Sequence, residues 1–236
     1  MGMETFRIDR IPTPIGVMLL VQDRAQRLRA LDWEDHEPRM ARLLRRHYGG
    51  VELVPGDGRG AIADALRSYL AGTLDAIEGI PVETAGTKFQ RRVWRELRRI
   101  PAGATLSYRE LAGRIGRPDA VRAVGLANGA NPVGVVVPCH RVIGSDGGLT
   151  GYGGGLERKR WLLEHEGVSV CEGHGDRRSE TSPDHAEPPG ASNALVAGDQ
   201  RDPQRDRRSG DEAVERLAEC RKRAGFGDVG PLERNQ

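Results

Sequence analysis

The chain has 236 residues, enough for one or two domains with an apolar core, and 37% of them are hydrophobic. Its longest apolar runs, Val17–Val21 and Val135–Val137, fall far below the roughly 20 residues of a membrane span, and Met1–Arg10 lacks the apolar region of a signal peptide. We therefore expect a cytoplasmic protein with no membrane partner. Three widely spaced cysteines exclude a disulfide framework and a CxxC metal pair.

The formal net charge of +2 is unevenly distributed along the chain. Residues 81–171 carry 14 Lys and Arg against 8 Asp and Glu, whereas residues 1–80 and 172–236 each carry more acidic than basic residues. The middle of the chain is therefore the part that a polyanion such as DNA would meet first.

Residues 1–80 predict a small α+β module. An apolar strand over Ile15–Val21, a turn at Asp23–Gln26 and a strand over Arg27–Trp33 indicate a hairpin. A helix is predicted to begin near Pro38 and end at Gly49-Gly50, and a second helix contains Ile62, Leu66, Tyr69 and Leu70. No residues here have catalytic spacing, and His36 and His47 are interpreted as surface or packing residues. Ile80–Gly86 is the predicted linker.

Two capping boxes open helices in the second part of the chain. Thr87 begins a helix with Phe89, Val93 and Leu97 on one face and arginines on the others, and Ser107 begins a helix that runs to about Ile115. Gly116-Arg117-Pro118 breaks that helix, and Asp119–Asn128 predicts another. The outline is that of a helix-turn-helix, although an ordinary helical hairpin has the same spacing. Small residues surround Arg122 in the second helix, which favours close approach to a DNA groove.

The β-branched run over Asn131–Val137 predicts a buried strand that ends at Pro138 and delivers Cys139 to a pocket. A thiol near pKa 8.5 needs a base to act as a nucleophile, and His140 is adjacent. Neighbouring side chains on an extended chain point apart, so His140 reaches the sulfur only through a bend or a bridging water. A buried structural cysteine is the alternative.

Glycine occupies seven of the twelve positions over Gly144–Gly155, with Tyr152 among them. The absence of a following Gly-Lys-Ser/Thr leaves a phosphate-binding loop unsupported. We interpret the segment as a wall whose backbone approaches a planar ligand closely, although a merely flexible loop fits the same composition. A helix is predicted over Leu156–His165, and Glu166 at its end is either solvated or the group that orients a histidine.

Together these motifs resemble the O6-alkylguanine-DNA alkyltransferase family. The resemblance covers about residues 1–170 and is strongest from Phe89 to Gly167. Its specific elements, in chain order, are Ser107-Tyr108, Arg122-Ala123-Val124-Gly125, Asn131-Pro132, Pro138-Cys139-His140-Arg141-Val142, Tyr152-Gly153-Gly154-Gly155-Leu156 and Trp161–Gly167.

The resemblance implies a ribonuclease-H-like antiparallel-sheet module, followed by a mostly helical DNA-binding domain over residues 87–170. It also implies that an alkyl group passes from O6 of guanine, and from O4 of thymine, to Cys139, once per molecule. The expected partner is double-stranded DNA with the damaged nucleotide extruded, and we expect a monomer without cofactor or metal. The implied catalytic residues are Cys139, His140 through water, and Glu166, and the implied substrate and DNA contacts are Tyr108, Arg122, Asn131, Val142, Tyr152 and Gly153.

Two glycines depart from the family pattern: Gly134 replaces a proline and Gly153 a serine found in some members. We take both as indications of a roomier pocket. Two other functions stay open: a sensor that binds alkylated bases without repair, which the presence of Cys139 argues against, and a cysteine hydrolase, which leaves the basic helices unexplained. From Glu172 onward the composition predicts disorder, with at most a marginal helix over Asp211–Ala224.

Overall fold

The structure is a computed structural model that describes residues 4–170. A four-stranded sheet opens the chain in the order β3-β2-β1-β4, with antiparallel pairing of β1 with β2 and of β2 with β3. β4 runs parallel to β1, so the sheet is mixed rather than purely antiparallel as expected. The strand bounds are Glu4–Thr13 (β1), Gly16–Gln22 (β2), Leu28–Trp33 (β3) and Val51–Pro55 (β4).

The predicted hairpin is confirmed as β2 and β3, but the sequence analysis missed β1 and β4. β1 carries four charged residues before Ile11, and these interrupt the apolar pattern from which a strand is predicted. One of them, Asp9, is buried, and its carboxylate accepts hydrogen bonds from Arg7 (2.9 Å), Gln22 (3.1 Å) and the backbone N–H of Gly58 (2.9 Å). Such tertiary partners allow a charged side chain inside a sheet.

Within residues 4–170 six α-helices accompany the sheet, and the helices predicted in that range are confirmed with bounds shifted by a few residues. Both predicted capping boxes are present, at Thr87 and Ser107. A short parallel pair, Leu106–Ser107 (β5) with Val142–Ile143 (β6), joins the start of α4 to the segment after Cys139. The helices are Glu37–Tyr48 (α1), Ala61–Leu70 (α2), Lys88–Leu97 (α3), Tyr108–Arg114 (α4), Val121–Gly129 (α5) and Leu156–His165 (α6).

The strand predicted before Cys139 is wrong. Val133–Val137 forms consecutive tight turns in which Val137 N–H donates to Val133 O (3.0 Å), and Val135 has a positive φ of 66°. The valines are buried on all sides, and an apolar run of this kind is compatible with any buried backbone conformation. The turns curl the chain so that the thiol points into the protein.

One large apolar core contains residues from both predicted modules, including Leu20, Leu31 and Leu66 from the first and Val93 and Val142 from the second. The module boundary near residues 80–87 stays a prediction. Within residues 4–170, no helix is long and apolar enough to span a bilayer. The predicted disorder and the helix over 211–224 lie outside the described residues.

Candidate active site

Cys139 lies at the start of a one-turn 3-10 helix, Cys139–Arg141, and is 5% exposed. The side-chain amide of Asn131 donates to the sulfur at 3.1 Å. Burial raises the pKa of the Cys139 thiol, and the Asn131 hydrogen bond and the more distant Arg39 and Lys159 charges oppose that rise. The Asn131 hydrogen bond thus favours the thiolate form of Cys139, whereas the burial of the sulfur disfavours it.

His140 and Glu166 form a fully buried pair next to the thiol. Nε2 of His140 lies 3.0 Å from Oε1 of Glu166, and the carboxylate fixes the tautomer because it accepts the Nε2 proton. Nδ1 of His140 is buried and has no protein partner within residues 4–170. That nitrogen therefore has a lone pair that no described protein group occupies. The 3-10 turn over Cys139–Arg141 bends the chain at His140, and Glu166 is buried against the imidazole rather than solvated.

Arg141 completes the ion cluster with two hydrogen bonds to Glu166, from Nε to Oε2 (2.9 Å) and from Nη2 to Oε1 (2.8 Å). Burial disfavours the Glu166 carboxylate, but the contacts with His140 and Arg141 outweigh burial and hold the pKa of Glu166 below its ordinary value. Burial lowers the pKa of His140, whereas Glu166 acts to raise it. The arrangement pairs a carboxylate that favours its ionised form with an imidazole whose burial favours its neutral form.

A cleft of about 520 Å³ opens beside this cluster and is lined by Tyr108, Tyr152 and Gly153 together with α5 residues Val121, Gly125 and Gly129. Burial raises the pKa of both tyrosines, and so does the charge of Cys139. Tyr108 also accepts a hydrogen bond from Thr150 at 3.2 Å. The cleft thus combines apolar walls, two neutral phenols and glycine backbone, as a flat heterocycle requires.

The remaining predicted residues fall into three settings. Asn131 is buried and ties the turn together: it donates to Val137 O (2.8 Å) and accepts from Val133 N (3.0 Å). Val142 is buried in β6, and its carbonyl already accepts a hydrogen bond from Lys159 at 2.6 Å. Arg122 is exposed on α5, away from the thiol cluster.

Four side chains that contact the site were not predicted from the sequence. Arg141 was read only as part of a motif. Lys159 is fully buried, its ammonium bridges Val142 O and Thr150 O (2.8 Å), and burial lowers its pKa to about 8. Arg39 and Tyr69 come from the first 80 residues. They lie too far from Cys139 in the sequence for a local motif to connect them with it.

The extra pocket space expected at Gly134 and Gly153 is not present, because other groups occupy it. A Cβ on Gly153 would lie 2.6 Å from the guanidinium of Arg39, which occupies that space. Gly134 donates its N–H to Leu31 O at 2.9 Å, a bond that a proline cannot make. Residues from the first module therefore fill both positions.

Within residues 4–170, no group of three or more His, Cys, Asp or Glu side chains is placed to hold a metal ion. The site contains a thiol, an imidazole and a carboxylate, and the ring of Tyr152, which lines the cleft, meets the His140 ring edge-on at a centroid distance of 6.4 Å.

Comparison with known proteins supports this interpretation. Residues 88–168 match the family described as "6-O-methylguanine DNA methyltransferase, DNA binding domain". A methylated-DNA–protein-cysteine methyltransferase of Shigella flexneri is 50% identical over 161 residues, which cover 67% of this chain and 94% of that protein. The protein of the same name from Mycobacterium bovis is 56% identical over 112 residues, covering 48% and 67% of the two chains.

Solved structures agree with the sequence comparisons. The crystal structure of the Mycobacterium tuberculosis O6-methylguanine methyltransferase shares 44% identity, with a TM-score of 0.56 over 68% of this chain and 92% of that one. A second structure, of Mycobacterium tuberculosis OGT in complex with DNA, gives a TM-score of 0.57 at 43% identity, with the same coverage of both chains.

Proposed function

The chain belongs to the methylated-DNA–protein-cysteine methyltransferase family, and from this premise we propose that Cys139 takes the alkyl group directly from O6 of an alkylated guanine in DNA, or from O4 of thymine. A sulfur–carbon bond forms as the carbon–oxygen bond breaks, and the base leaves with the electron pair. The thioether that results has no route back to a thiol within the site, so each molecule reacts once. The observation that carries the proposal is the buried Cys139, His140 and Glu166 cluster beside an open cleft.

The proton of the thiol must leave before or during attack, since the thiolate is the nucleophile. We propose that it passes through water to Nδ1 of His140, while the Glu166 charge stabilises the imidazolium. Tyr108 in the cleft is a neutral phenol that can donate to the departing purine, and Asn131 holds the sulfur in line. Tyr152 and Gly153 form the wall against which the base lies.

A base inside a duplex cannot reach a sulfur that is 5% exposed, so the nucleotide must be extruded at a cost of a few kcal/mol. We propose that α5 enters the minor groove, with Arg122 filling the vacated stack. Two features support this: the exposed face of α5 carries Arg122, Ala123 and Leu126, the last 77% exposed, and Gly125 and Gly129 of the same helix line the cleft.

The decisive experiment incubates the protein with duplex DNA that contains isotope-labelled O6-methylguanine and locates the label by mass spectrometry. We expect one methyl group on Cys139 per protein molecule, and none in a Cys139→Ala variant that still binds the duplex. Repeated turnover without labelled protein would indicate a hydrolase. Binding without transfer would indicate a sensor, and either result would overturn the proposal.

We further propose that the protein acts as a monomer in the cytoplasm. A reagent used once per molecule needs no second subunit, and a reactive thiol is kept reduced in that compartment. Light scattering of the free protein tests the first statement, and subcellular fractionation tests the second.

A further inference from the structure

The carboxylate that orients His140 is shared with a residue from the first module. Tyr69, the penultimate residue of α2, is fully buried, and its hydroxyl donates to Oε1 of Glu166 at 2.6 Å. The same oxygen also accepts from Arg141 Nη2 at 2.8 Å and lies 3.0 Å from His140 Nε2. Three donors thus converge on one oxygen, and the phenol makes the shortest of the three contacts.

A carboxylate oxygen has two lone pairs, so three donors must compete for its charge. His140 has the longest contact and receives the smallest share. The attraction of Glu166 for a protonated His140 is therefore weaker than it would be with two donors. A buried tyrosine hydroxyl needs some acceptor, and a backbone carbonyl would satisfy it. Tyr69 instead donates to the oxygen that controls the base.

The position of Tyr69 is fixed independently of its hydroxyl. Its backbone carbonyl accepts from Nε2 of His165 at 2.7 Å, and its ring meets the His165 ring edge-on at a centroid distance of 5.2 Å. Phenylalanine at this position keeps the ring contacts and loses only the donor. The hydroxyl can therefore be tested without a large change in packing.

We propose that Tyr69 is a positioning residue for alkyl transfer, whose hydroxyl limits the basicity of His140 by withdrawing charge from Glu166. The inference rests on the proposed function, since His140 must act as the base. It places part of the control of the reaction in the module that contains none of the reacting groups.

The charges around the pair determine the sign of the effect. Removing the Tyr69 hydroxyl leaves more of the Glu166 charge for His140, which stabilises the imidazolium and raises the pKa of His140. The pH below which His140 is already protonated, and cannot accept the thiol proton, therefore rises. The charges of Arg141 and Lys159 act on His140, the Tyr152 ring meets the His140 ring edge-on, Cys139 precedes His140 in the chain and His165 packs on Tyr69. None of these groups is altered.

The test is the pH dependence of single-turnover transfer from an O6-methylguanine duplex, at saturating DNA, for wild type and Tyr69→Phe. The acid side of the profile should move to higher pH by about one unit, since a hydrogen bond to a charged group has that order of effect. Tyr48→Phe is the matched control, because the Tyr48 hydroxyl bonds the backbone of Glu83 and Ala85 rather than Glu166, and its loss should not move the profile.

A second substitution keeps the test valid if Tyr69→Phe folds poorly. Site-specific replacement of Tyr69 by 3-fluorotyrosine retains the shape and gives a stronger donor, so the acid side should move to lower pH. An unchanged profile in a folded Tyr69→Phe protein, or in the fluorinated protein, overturns the proposal. Absence of transfer in wild type would instead overturn the proposed function.

Discussion

The first and second parts of the chain contribute to the site in different ways. Residues 87–170 supply every group proposed to react, and each lies in a short motif. Residues 4–80 supply the Leu31 carbonyl, the Arg39 guanidinium and the Tyr69 hydroxyl, which contact the reacting segment across the shared core. The reaction chemistry is thus carried by neighbours in sequence, whereas the placement of that chemistry depends on contacts between residues that are far apart.

Arg39 illustrates the second kind of contribution. Its guanidinium pairs with the buried Asp32 and donates to the carbonyls of Gly129 (2.9 Å) and Asn131 (3.0 Å). It therefore places a cation at the C-terminal end of α5, where the helix dipole favours one. The same side chain holds the backbone of the residue whose amide bonds the Cys139 sulfur.

The largest expected effect comes from Glu166→Gln. The change removes the charge between His140 and Arg141, so transfer should slow by about 10²–10⁴-fold. A buried Arg141 without a counter-ion should also lower the free energy of unfolding by about 3–5 kcal/mol. Single-turnover kinetics and urea denaturation measure the two effects.

Glu164→Gln, at an exposed position of the helix that precedes Glu166, is the control and should change neither quantity. Because the pKa of Glu166 is lowered in the folded state, its contribution is present at neutral pH and is lost as the pH falls below the ordinary range of glutamate. The stability difference between wild type and Glu166→Gln should therefore shrink in acid, and a pH-independent difference would contradict the ion-pair argument.

Asn131→Asp tests the donor to the sulfur with little change in shape. An ionised aspartate cannot donate to Cys139 and places a negative charge beside it, so the thiol pKa should rise. Transfer at neutral pH should slow by about 10–100-fold, as expected for a pKa rise of one to two units, and should recover as the pH is raised. A uniform loss at every pH would show that Asn131 matters for the fold alone.

Arg39→Met tests the contribution of the first module. The Asp32 carboxylate and the carbonyls of Gly129 and Asn131 lose their donor. The free energy of unfolding should therefore fall by about 1–3 kcal/mol, while the methylated product still forms on Cys139. The matched control is Arg42→Met on the exposed side of α1, with an expected change within about 0.5 kcal/mol. Equal losses in the two variants would remove Arg39 from its bridging role.

The smallest effect is expected for Arg122→Ala, which touches neither core nor thiol cluster. The salt dependence of duplex binding, plotted as log K against log salt, should lose about one unit of slope. Transfer from duplex should slow more than transfer from free O6-benzylguanine. Arg45→Ala, an exposed arginine on α1, controls for net charge, and an equal slope change there would contradict a specific role for α5.

Much of the site was predictable because its signals are local. The capping boxes at Thr87 and Ser107 depend on residues three apart, and the structure contains both. The helix before Glu166 was also predicted correctly, and Gly153 of the glycine-rich segment lines the cleft. By contrast, the turns over Val133–Val137 were not, since a buried β-branched run does not distinguish a strand from a curled segment.

The sequence alone determined the order of the helices within residues 4–170, because hydrogen-bonding patterns and apolar periodicity act over a few residues, and its short motifs predicted Cys139, His140 and Glu166 as the reacting groups. Only the tertiary structure decided that Glu166 is buried among three donors, that Arg39 fills the space beside Gly153, and that a tyrosine 70 positions before Cys139 contacts its catalytic cluster. Such contacts join distant segments through a common core, and no local pattern encodes which distant side chain will arrive at a given atom.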